Sequence, residues 1–469
     1  MASMLTSSKP RIVPPLDATF APLALSNRAF RAAVAESGAG VSLVIGLERG
    51  DGTISRYETQ VFPPQSPEFE CNLPYVERLV KTLLWARGGW KVYIGGPAEI
   101  GQYITQTYSP TGARAFDTEV MGRIYEKTFT VVACTADEVP AANESAVSLG
   151  GHLEGCRIGF DAGASDRKVA AVVDGVAVYS EEVLWDPRNH TDPQYHFDEI
   201  MTAMRTAASH MPRVDAIGVS SAGVYVNNRI MVASLFRGVS PEQFEKRVKN
   251  LFLDIQKEWG VPLEVVNDGE VTALAGAMSL EDTAVIGVAM GSSEAAGFVT
   301  PDGNITNWLN ELAFVPIDGS ETAPADEWSG DIGCGVQYLS QQAVGRLIPA
   351  AGITLDEKLG LPERLKAVQK LAAEGDERVI PLYQTIGTYL GYALAHYADF
   401  YDFRHALILG RVTSGEGGNI ILQWAHDVLA QEFPELAKKV NINLPDENNR
   451  RVGQAIAAAS LPEILQHGA

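Results

Sequence analysis

The chain has 469 residues, a formal net charge of −21 at pH 7 and a hydrophobic fraction of 46%. This length predicts about two to four domains, and the hydrophobic fraction supplies a large core, which excludes a disordered chain. The acidic balance opposes a nucleic-acid groove and docking on an anionic membrane, because both need a basic face. We therefore expect neither nucleic acid nor a membrane as a partner.

Targeting and redox signals are weak in this sequence. Residues 1–15 are polar and lack the apolar core of a signal peptide, and no apolar run approaches the length of a membrane span. The four cysteines are scattered and form no Cys-x-x-Cys pair, which favours a reduced compartment. We expect a cytoplasmic protein.

The N-terminal part of the chain alternates strand and helix patterns. Strands are expected over 41–47 and 54–62, and a helix over 75–86. A stretch rich in small and polar residues, 141–155, resembles a linker. We predict that residues 1–155 form an extra α/β domain, whose role the sequence does not indicate.

A turn of small residues at Asp161 joins two apolar strands. Gly163 gives the turn backbone freedom, Ser165 offers a hydroxyl, and Lys168 opens the second strand. Such a turn lets backbone N–H groups approach an anion, and a carboxylate beside it suits the bound waters of Mg²⁺. The same pattern also fits an ordinary polar hairpin, and the sequence alone leaves both interpretations open.

The rest of the chain repeats the order strand, turn, helix. Strands are expected at 176–183, 214–220, 263–266, 283–289 and 406–409. Helices are expected at 197–210, 241–259 and 270–278, long helices over about 362–400 and 418–432, and a last helix at 452–459. This alternation predicts the α/β class.

Small-residue turns follow strands at Asp161, Gly291 and Gly410. Three strand ends can place three sets of backbone N–H groups around one polyphosphate. Between these turns lies Asp268, at a strand end that opens a helix. Phosphoryl transfer to a hydroxyl needs a carboxylate that accepts the hydroxyl proton, and Asp268 suits that role. Its position also suits a helix N-cap, so both interpretations stay open.

The order of these segments resembles the ROK family of sugar kinases, within the actin and hexokinase superfamily, over about residues 157–462. The family's Asp-x-Gly-Gly-Thr-Lys turn is similar to residues 161–168, and its Asn-Asp-x-Asn-Ala-Ala motif to 267–273. Its Gly-Thr-Gly-x-Gly-Gly-Gly loop resembles 291–297, and its Gly-Glu-Ile-Gly-His motif falls on 310–314.

The resemblance implies a two-lobed actin-like, ribonuclease H-like ATPase fold. The first lobe is expected over 156–278, completed by a C-terminal helix at 452–469, and the second over 279–451. The implied activity is ATP- and Mg²⁺-dependent phosphorylation of a sugar or polyol hydroxyl. The implied partner is a small molecule, and a homodimer is compatible with the family.

The resemblance also implies residue roles. Asp268 would be the general base, Asp161 would hold Mg²⁺ through water, and the substrate would be bound by Asn267, Glu311 and Ser234. The residues implied on the nucleotide phosphates are Asp161, Gly163, Ser165, Lys168, Gly291, Ser292, Gly410 and Gly415. For Lys168, a solvated hairpin lysine is the competing interpretation.

Several positions depart from the family pattern. The family's zinc site needs one histidine and three cysteines, but Phe314 stands at the histidine position and only Cys334 remains. Because structural zinc is four-coordinate, we expect no zinc. We expect Cys334 to be a small buried residue. Val336 replaces a sugar-binding glutamate. Ser293 and Ala295 replace glycines, and their Cβ atoms would oppose a positive φ.

These departures leave two hypotheses. The first is a carbohydrate kinase with an altered substrate. The alternative is a non-catalytic regulator that binds a sugar or a nucleotide at a degenerate kinase site. Residues 1–155 show no helix-turn-helix pattern, so such a regulator is expected to act through a metabolite or a protein partner.

Overall fold

The computed structural model describes residues 9–144, 150–163, 166–444 and 447–464. Ser165 and the middle of the expected linker, residues 145–149, lie outside these ranges.

The elements follow the alternation that the sequence predicts. The strands are β1 (Val41–Glu48), β2 (Ile54–Val61), β3 (Lys91–Gly95), β4 (Thr130–Cys134), β5 (Cys156–Ala162), β6 (Asp166–Val173), β7 (Val176–Leu184), β8 (Ala216–Ser221), β9 (Val224–Val226), β10 (Arg229–Val232), β11 (Leu263–Asn267), β12 (Val285–Met290), β13 (Glu294–Val299), β14 (His405–Leu409) and β15 (Asn441–Asn443). The helices are α1 (Leu23–Ser37), α2 (Asn72–Arg87), α3 (Ala98–Thr107), α4 (Ala115–Tyr125), α5 (Pro193–Ala208), α6 (Pro241–Gln243), α7 (Leu251–Trp259), α8 (Asp268–Leu280), α9 (Gln341–Ala350), α10 (Leu361–Ala373), α11 (Val379–Tyr397), α12 (Glu416–Glu432), α13 (Pro434–Lys439) and α14 (Glu447–Ala459).

The chain divides into two compact units. Unit 1 comprises Met1–Ser145, Val288–Ala295 and Asn307–Leu444, and unit 2 comprises Ala146–Gly287, Ala296–Thr306 and Pro445–Ala469. The N-terminal α/β elements thus share a unit with the elements between residues 307 and 444. The three-domain division of the sequence differs from this grouping and stays a prediction.

Unit 2 is built on a five-stranded sheet in the order β11-β8-β5-β6-β7. Strands β5, β8 and β11 run parallel, and β6 and β7 add antiparallel neighbours. All of β8 and nearly all of β5 are buried, as expected for strands covered on both faces. The carboxyl ends of β5, β8 and β11 therefore meet at one edge of the sheet.

Helix α14 packs on β5 and β8 so closely that only glycine fits beneath it. A Cβ on Gly159 would lie 1.9 Å from the carbonyl oxygen of Ala455, and one on Gly218 would lie 1.6 Å from that of Ala458. Arg157, at the start of β5, is fully buried and donates from Nη1 to the carbonyl of Pro462 at 2.7 Å. The C-terminal segment is therefore an integral part of unit 2.

Unit 1 contains the four-stranded sheet β2-β1-β3-β4. Of the other four-stranded sheet, β13-β12-β14-β15, unit 1 contains β14, β15 and parts of β12 and β13. Helix α11 is buried along almost its whole length and packs against α12, with glycines at the contact. Its four tyrosines, all buried, are Tyr383, Tyr389, Tyr392 and Tyr397. No helix within the described ranges is both long and apolar enough to span a bilayer.

The prediction of a single helix over 241–259 is wrong. The chain forms α6, a π-helical turn over Phe244–Val248, and then α7. The N–H of Lys249 bonds the carbonyl of Phe244 at 2.9 Å, while the carbonyl of Lys249 accepts from the N–H of Ile230 in β10 at 2.9 Å. Because that carbonyl is used by the neighbouring strand, the helical ladder is interrupted before α7 begins.

Candidate active site

Polar residues line the carboxyl edge of the unit 2 sheet. The strand register sets Asp161 beside Ser220, and Ser221 beside Asn267. Asp268 comes next in the chain and is the first residue of α8. The motif residues that are far apart in sequence are thus neighbours along one edge, because three parallel strands end there.

Asp161 is half-buried and hydrogen-bonded. Ser220 Oγ donates to its Oδ1 at 2.8 Å, and Lys168 Nζ lies 3.7 Å from its Oδ2. Burial raises the pKa of Asp161, although Lys168 and the Ser220 hydrogen bond oppose this increase. Lys168 also pairs with Asp166 at 2.9 Å. The Lys168 amine therefore lies between two carboxylates while its side chain is 23% exposed, and its role toward a phosphate stays a prediction.

The turn after β5 uses its glycine for close packing. A Cβ on Gly163 would lie 2.7 Å from the carbonyl oxygen of Asp166, and the carbonyl of Gly163 accepts a hydrogen bond from Trp185 Nε1 at 2.8 Å. The backbone of Gly163 does not adopt a positive φ. Gly163 therefore packs closely against Asp166, and its own backbone conformation is not one that favours glycine.

Asp268 is not the N-cap of α8. Asn267 caps the helix, with its Oδ1 accepting from the N–H of Gly269 at 2.8 Å and its Nδ2 donating to the carbonyl of Gly223 at 2.8 Å. Asp268 accepts only a longer bond from the N–H of Gly269, at 3.1 Å. In the described ranges no cation forms an ion pair with Asp268, so its carboxylate is left for another partner.

The environment of Asp268 shifts its acidity. Burial, and then the charge of Asp161, raise the pKa of Asp268 to about 6. A carboxylate with a pKa near 6 is deprotonated at neutral pH yet basic enough to accept a proton from a hydroxyl group. The arrangement can therefore support general base catalysis.

The β9–β10 hairpin supports this edge and was not predicted. Tyr225 OH donates to Ser221 Oγ at 2.6 Å, and burial together with the Asp268 charge raises the pKa of Tyr225. The turn residues Asn227 and Asn228 have φ values of 51° and 59°. Paired asparagines between apolar residues are a signal for such a hairpin, so the sequence did contain it.

Glycines also fix the start of α8 against β13. A Cβ on Gly269 would lie 2.3 Å from the carbonyl oxygen of Ala296, and one on Gly297 would lie 2.2 Å from that of Gly269. Gly297 therefore serves backbone packing within unit 2.

The turn at Gly291 belongs to unit 1. The N–H of Gly291 donates to the carbonyl of Ser293 at 2.9 Å, and its carbonyl accepts from the N–H of Gln341 at 2.9 Å. The side chains of Ser292 and Ser293 are exposed. Neither Ser293 nor Ala295 has a positive φ, so the backbone strain expected from the lost glycines does not arise.

Gly410 packs directly behind this turn. Its φ is 96°, and a Cβ would lie 2.3 Å from the carbonyl oxygen of Met290. Gly415, with a φ of 72°, immediately precedes α12 and has open space around it. The structure thus brings the Gly410 and Gly291 turns together, because the strands that precede them, β14 and β12, are neighbours in one sheet.

Glu294 is a buried carboxyl group that sequence reasoning missed. It is 2% exposed, and Tyr397 OH donates to its Oε1 at 2.8 Å. Its Oε2 has no hydrogen-bond partner and would lie 2.2 Å from a Cβ on Gly335. Burial, with a smaller contribution from the Glu311 charge, raises the pKa of Glu294 to about 8. Glu294 is therefore a neutral acid at pH 7.

The other substrate candidates lie in different units. Glu311 precedes a 3₁₀ turn over Leu312–Phe314 in unit 1, and its N–H donates to the carbonyl of Trp85 at 3.0 Å. Ser234 opens a 3₁₀ helix after β10 in unit 2 and is exposed. Their roles toward a substrate stay predictions.

The positions of the family's zinc ligands are filled by packing. The ring of Phe314 stacks on Trp85 with centroids 4.1 Å apart. Cys334 is fully buried with Ala313 and Val336, which confirms it as a small core residue, and burial raises its pKa to about 12. The described residues contain no cluster of three or more histidine, cysteine, aspartate or glutamate residues suited to a metal.

Comparisons with known proteins identify related folds. No family model matches the sequence, and no curated protein gives a significant match. A ROK family transcriptional regulator, a homologue of the E. coli MLC protein, is 18% identical with a TM-score of 0.50, covering 69% of this chain and 82% of the regulator. A ROK family glucokinase from Streptomyces griseus, in complex with glucose and AMPPNP, is 19% identical with a TM-score of 0.49, covering 65% of this chain and 98% of the glucokinase.

A ROK hexokinase from Thermus thermophilus is 16% identical with a TM-score of 0.48, covering 65% of this chain and 97% of the hexokinase. At such low sequence identities, structural similarity establishes the fold alone. The similarity to the ROK regulator supports the assignment of the fold here. Together with the β11-β8-β5-β6-β7 sheet order, it confirms the predicted α/β, actin-like fold class and shows that this chain has a ROK-like fold.

Proposed function

We propose that the protein transfers the γ-phosphoryl group of ATP to a hydroxyl group of a sugar or related polyol. The observation that carries this proposal is Asp268, a carboxylate with no cationic partner in the described ranges, whose pKa burial raises to about 6. The substrate hydroxyl gives its proton to Asp268 as its oxygen bonds to the γ-phosphorus and the bond to the ADP oxygen breaks. Phosphorylated substrate, ADP and a proton result.

Asp161 fits the magnesium role on chemical grounds. Its half-buried carboxylate is fixed by Ser220 and faces Lys168, and carboxylate oxygens are ligands that Mg²⁺ takes directly or through its waters. Bound Mg²⁺ would neutralise charge on the phosphates. Asp161 and Lys168 would orient that charge beside the sheet edge.

The remaining site residues are assigned by the same reasoning. We assign the turns at Gly291–Ser292 and Gly410–Gly415, with Gly163 and Ser165, to the nucleotide phosphates, and Asn267, Glu311 and Ser234 to substrate hydroxyls. Asn267 retains one N–H and further lone pairs after its two bonds within the protein. An ATP-dependent reaction agrees with the expected cytoplasmic location, and a homodimer stays a proposal.

The test is an ADP-release assay over a panel of sugars and polyols with wild-type protein and Asp268→Asn. The variant removes the proton acceptor and keeps the shape, so kcat is expected to fall by about 10²–10⁴-fold while ATP binding is retained. Full activity of Asp268→Asn on a substrate that the wild type phosphorylates would overturn the base assignment. Circular dichroism confirms that the variant is folded.

A second candidate function is a non-catalytic regulator. Two observations favour it: the likeness to a ROK transcriptional regulator, and the Gly291 amide, which is already bonded to Ser293. Calorimetry with ATP and Mg²⁺ separates the two functions. Sugar binding without nucleotide binding supports the regulator, and binding of both supports the kinase.

A further inference from the structure

We propose that a buried ion cluster centred on Asp331 positions Glu311 for substrate binding, and that the N-terminal helices α2 and α4 thereby form part of the site. This inference rests on the proposed function, because Glu311 is its substrate-binding candidate. The cluster, called the Asp331 cluster below, lies in unit 1 and consists of Glu77, Arg78, Lys81, Arg114, Asp117 and Asp331.

Three cations converge on the Asp331 carboxylate. Arg78 Nη1 lies 2.8 Å from Oδ2, Arg114 Nη1 lies 2.7 Å from Oδ1, and Lys81 Nζ lies 3.4 Å from Oδ2. Burial alone would raise the pKa of Asp331, but these three cations outweigh it and hold the pKa at about 2. Asp331 is therefore ionised throughout the range in which enzymes work.

Two further carboxylates balance the cations. Lys81 Nζ bonds Asp117 Oδ1 at 2.9 Å, and Arg114 pairs with Glu77. The cluster holds three cations and three anions, and the side chains of Lys81 and Asp117 are at most 2% exposed. A cluster in which positive and negative charges are equal in number can be buried, whereas removal of one member leaves an uncompensated charge in a low dielectric.

The same helix that carries two of these cations also holds Glu311. Arg78, Lys81 and Trp85 follow one another at spacings of three and four residues, so they lie on one face of α2. The carbonyl of Trp85 accepts from the N–H of Glu311 at 3.0 Å, and that of Ala86 accepts from the N–H of Asn310 at 2.9 Å.

Contacts of Trp85 connect the ion cluster to the segment that carries Glu311. Trp85 Nε1 donates to Asp117 Oδ1, the carboxylate oxygen that also binds Lys81. The Trp85 ring stacks on Phe314, three residues after Glu311. The segment from 310 to 331 is thus fixed to α2 at both ends, by backbone bonds and ring stacking at one end and by ion pairs at the other.

This geometry assigns the Asp331 cluster a positioning role. Loss of the ion pairs releases the Asp331 side chain from α2, and we expect this to weaken the bonds of Asn310 and Glu311 to α2 and to displace the Glu311 carboxylate. A displacement of about 1 Å can cost an enzyme about 100-fold in activity, and here we expect the loss in kcat/KM through the KM for the sugar. The base, Asp268, is not part of this segment, so substrate binding is expected to suffer more than the chemical step.

The experiment compares Asp331→Asn with a matched control, Asp17→Asn, in the full-length protein. Asp17 lies in the same unit, 3.3 Å from Arg346 Nη1, and accepts from Tyr389 OH at 2.6 Å. Hydrogen exchange is measured on a peptide containing residues 310 and 311, and KM is measured separately for the sugar and for ATP. Arg114→Lys keeps the charge and serves as the conservative variant.

In Asp331→Asn we expect faster exchange at residues 310 and 311 and an increase of about tenfold or more in the KM for the sugar, with kcat and the KM for ATP within about threefold of wild type. Asp17→Asn should leave exchange at 310 and 311 unchanged, and Arg114→Lys, which keeps the charge but not both ion pairs, should change exchange less than Asp331→Asn. Unaltered exchange in a folded Asp331→Asn, or equal increases in both KM values, overturns the positioning role.

A second variant covers the case in which Asp331→Asn does not fold. Arg78→Gln removes a cation whose side chain is 18% exposed, and the same exchange result is expected from it. If wild-type protein phosphorylates no sugar, the proposed function fails, while the exchange measurement still decides whether the cluster holds the 310–331 segment.

Discussion

The carboxyl edge of the unit 2 sheet and the 310–336 segment of unit 1 organise polar residues in opposite ways. At the sheet edge, Asp161, Ser220 and Asn267 are placed by strand register, and Asp268 keeps a carboxylate without a cationic partner in the described ranges. In the 310–336 segment, Asp331 is neutralised by three cations, and Phe314 is covered by Trp85.

This difference separates a region whose Asp268 carboxylate, without a cationic partner in the described ranges, we propose accepts a proton, from one in which the charge of Asp331 is balanced by cations. A carboxylate without a partner has an altered acidity that chemistry can use, whereas a carboxylate within a balanced cluster is fixed in charge and position. Substitutions in the two regions test that contrast.

Asp161→Asn should reduce kcat/KM by about 100-fold or more, because it removes the proposed magnesium-bearing carboxylate. In wild type, kcat/KM should rise with pH through about 6 as Asp268 loses its proton. The Asp161 charge raises the pKa of Asp268, so the variant should have a lower Asp268 pKa. Its residual activity should therefore rise with pH at a lower pH than in wild type. Asp166→Asn, which also removes a carboxylate beside Lys168, is the control. If the pH dependence of Asp161→Asn is the same as that of wild type, the Asp161 charge does not affect the pKa of Asp268.

Gly218→Ala should destabilise unit 2 by about 3 kcal/mol or more, or prevent folding, because its Cβ would meet the carbonyl of Ala458 at 1.6 Å. Gly453→Ala on the same helix is the matched control. Its Cβ meets nothing within 4 Å, so it should be neutral or slightly stabilising. Urea unfolding measures both, and equal stability of the two variants would show that the sheet edge does not depend on close contact with α14.

Glu294→Gln should change the pH dependence of stability. Burial raises the pKa of Glu294 from 4.5 to about 8, so between these values the folded state holds a proton that the unfolded chain has released. The stability contribution of this carboxyl is therefore fully present below about pH 4.5 and falls as the pH rises to about 8.

Glutamine stays neutral, so the stability of Glu294→Gln relative to wild type should improve by a few kcal/mol between pH 5 and pH 8. Urea unfolding at the two pH values measures this difference, in which the titration of all other groups cancels. A difference that does not vary with pH would mean that Glu294 is ionised in the folded protein.

Ser293→Gly should have the smallest effect, with kcat and the KM for ATP within about threefold of wild type. The backbone at Ser293 does not adopt a positive φ, so glycine relieves no strain there. Initial-rate kinetics measure the effect. An increase of tenfold or more in activity would indicate that the serine side chain keeps phosphate from this turn.

The two regions also differ in what the sequence could predict. The strand before Asp268, the turn at Asp161 and their common edge follow from local apolar patterns and from the rule that parallel strands end on one side. The Asp331 cluster was not predicted, since Arg78 and Asp331 are separated by more than 250 residues and neither lies in a recognisable motif.

Errors arose where a tertiary contact overrides a local pattern. The periodicity over 241–259 is helical throughout, yet the bond between Ile230 and Lys249 interrupts the helix. At Asp268 the sequence left a helix N-cap and a general base open, and the hydrogen bond that the Gly269 N–H donates to Asn267 Oδ1 assigns the cap to the preceding residue.

The position of α14 constrains when unit 2 can complete its fold during synthesis. The glycine backbones of β5 and β8 stay uncovered until residues 455–462 have left the ribosome, about 300 residues after β5 itself. Contacts that distant in sequence form slowly and leave apolar strands exposed in the meantime.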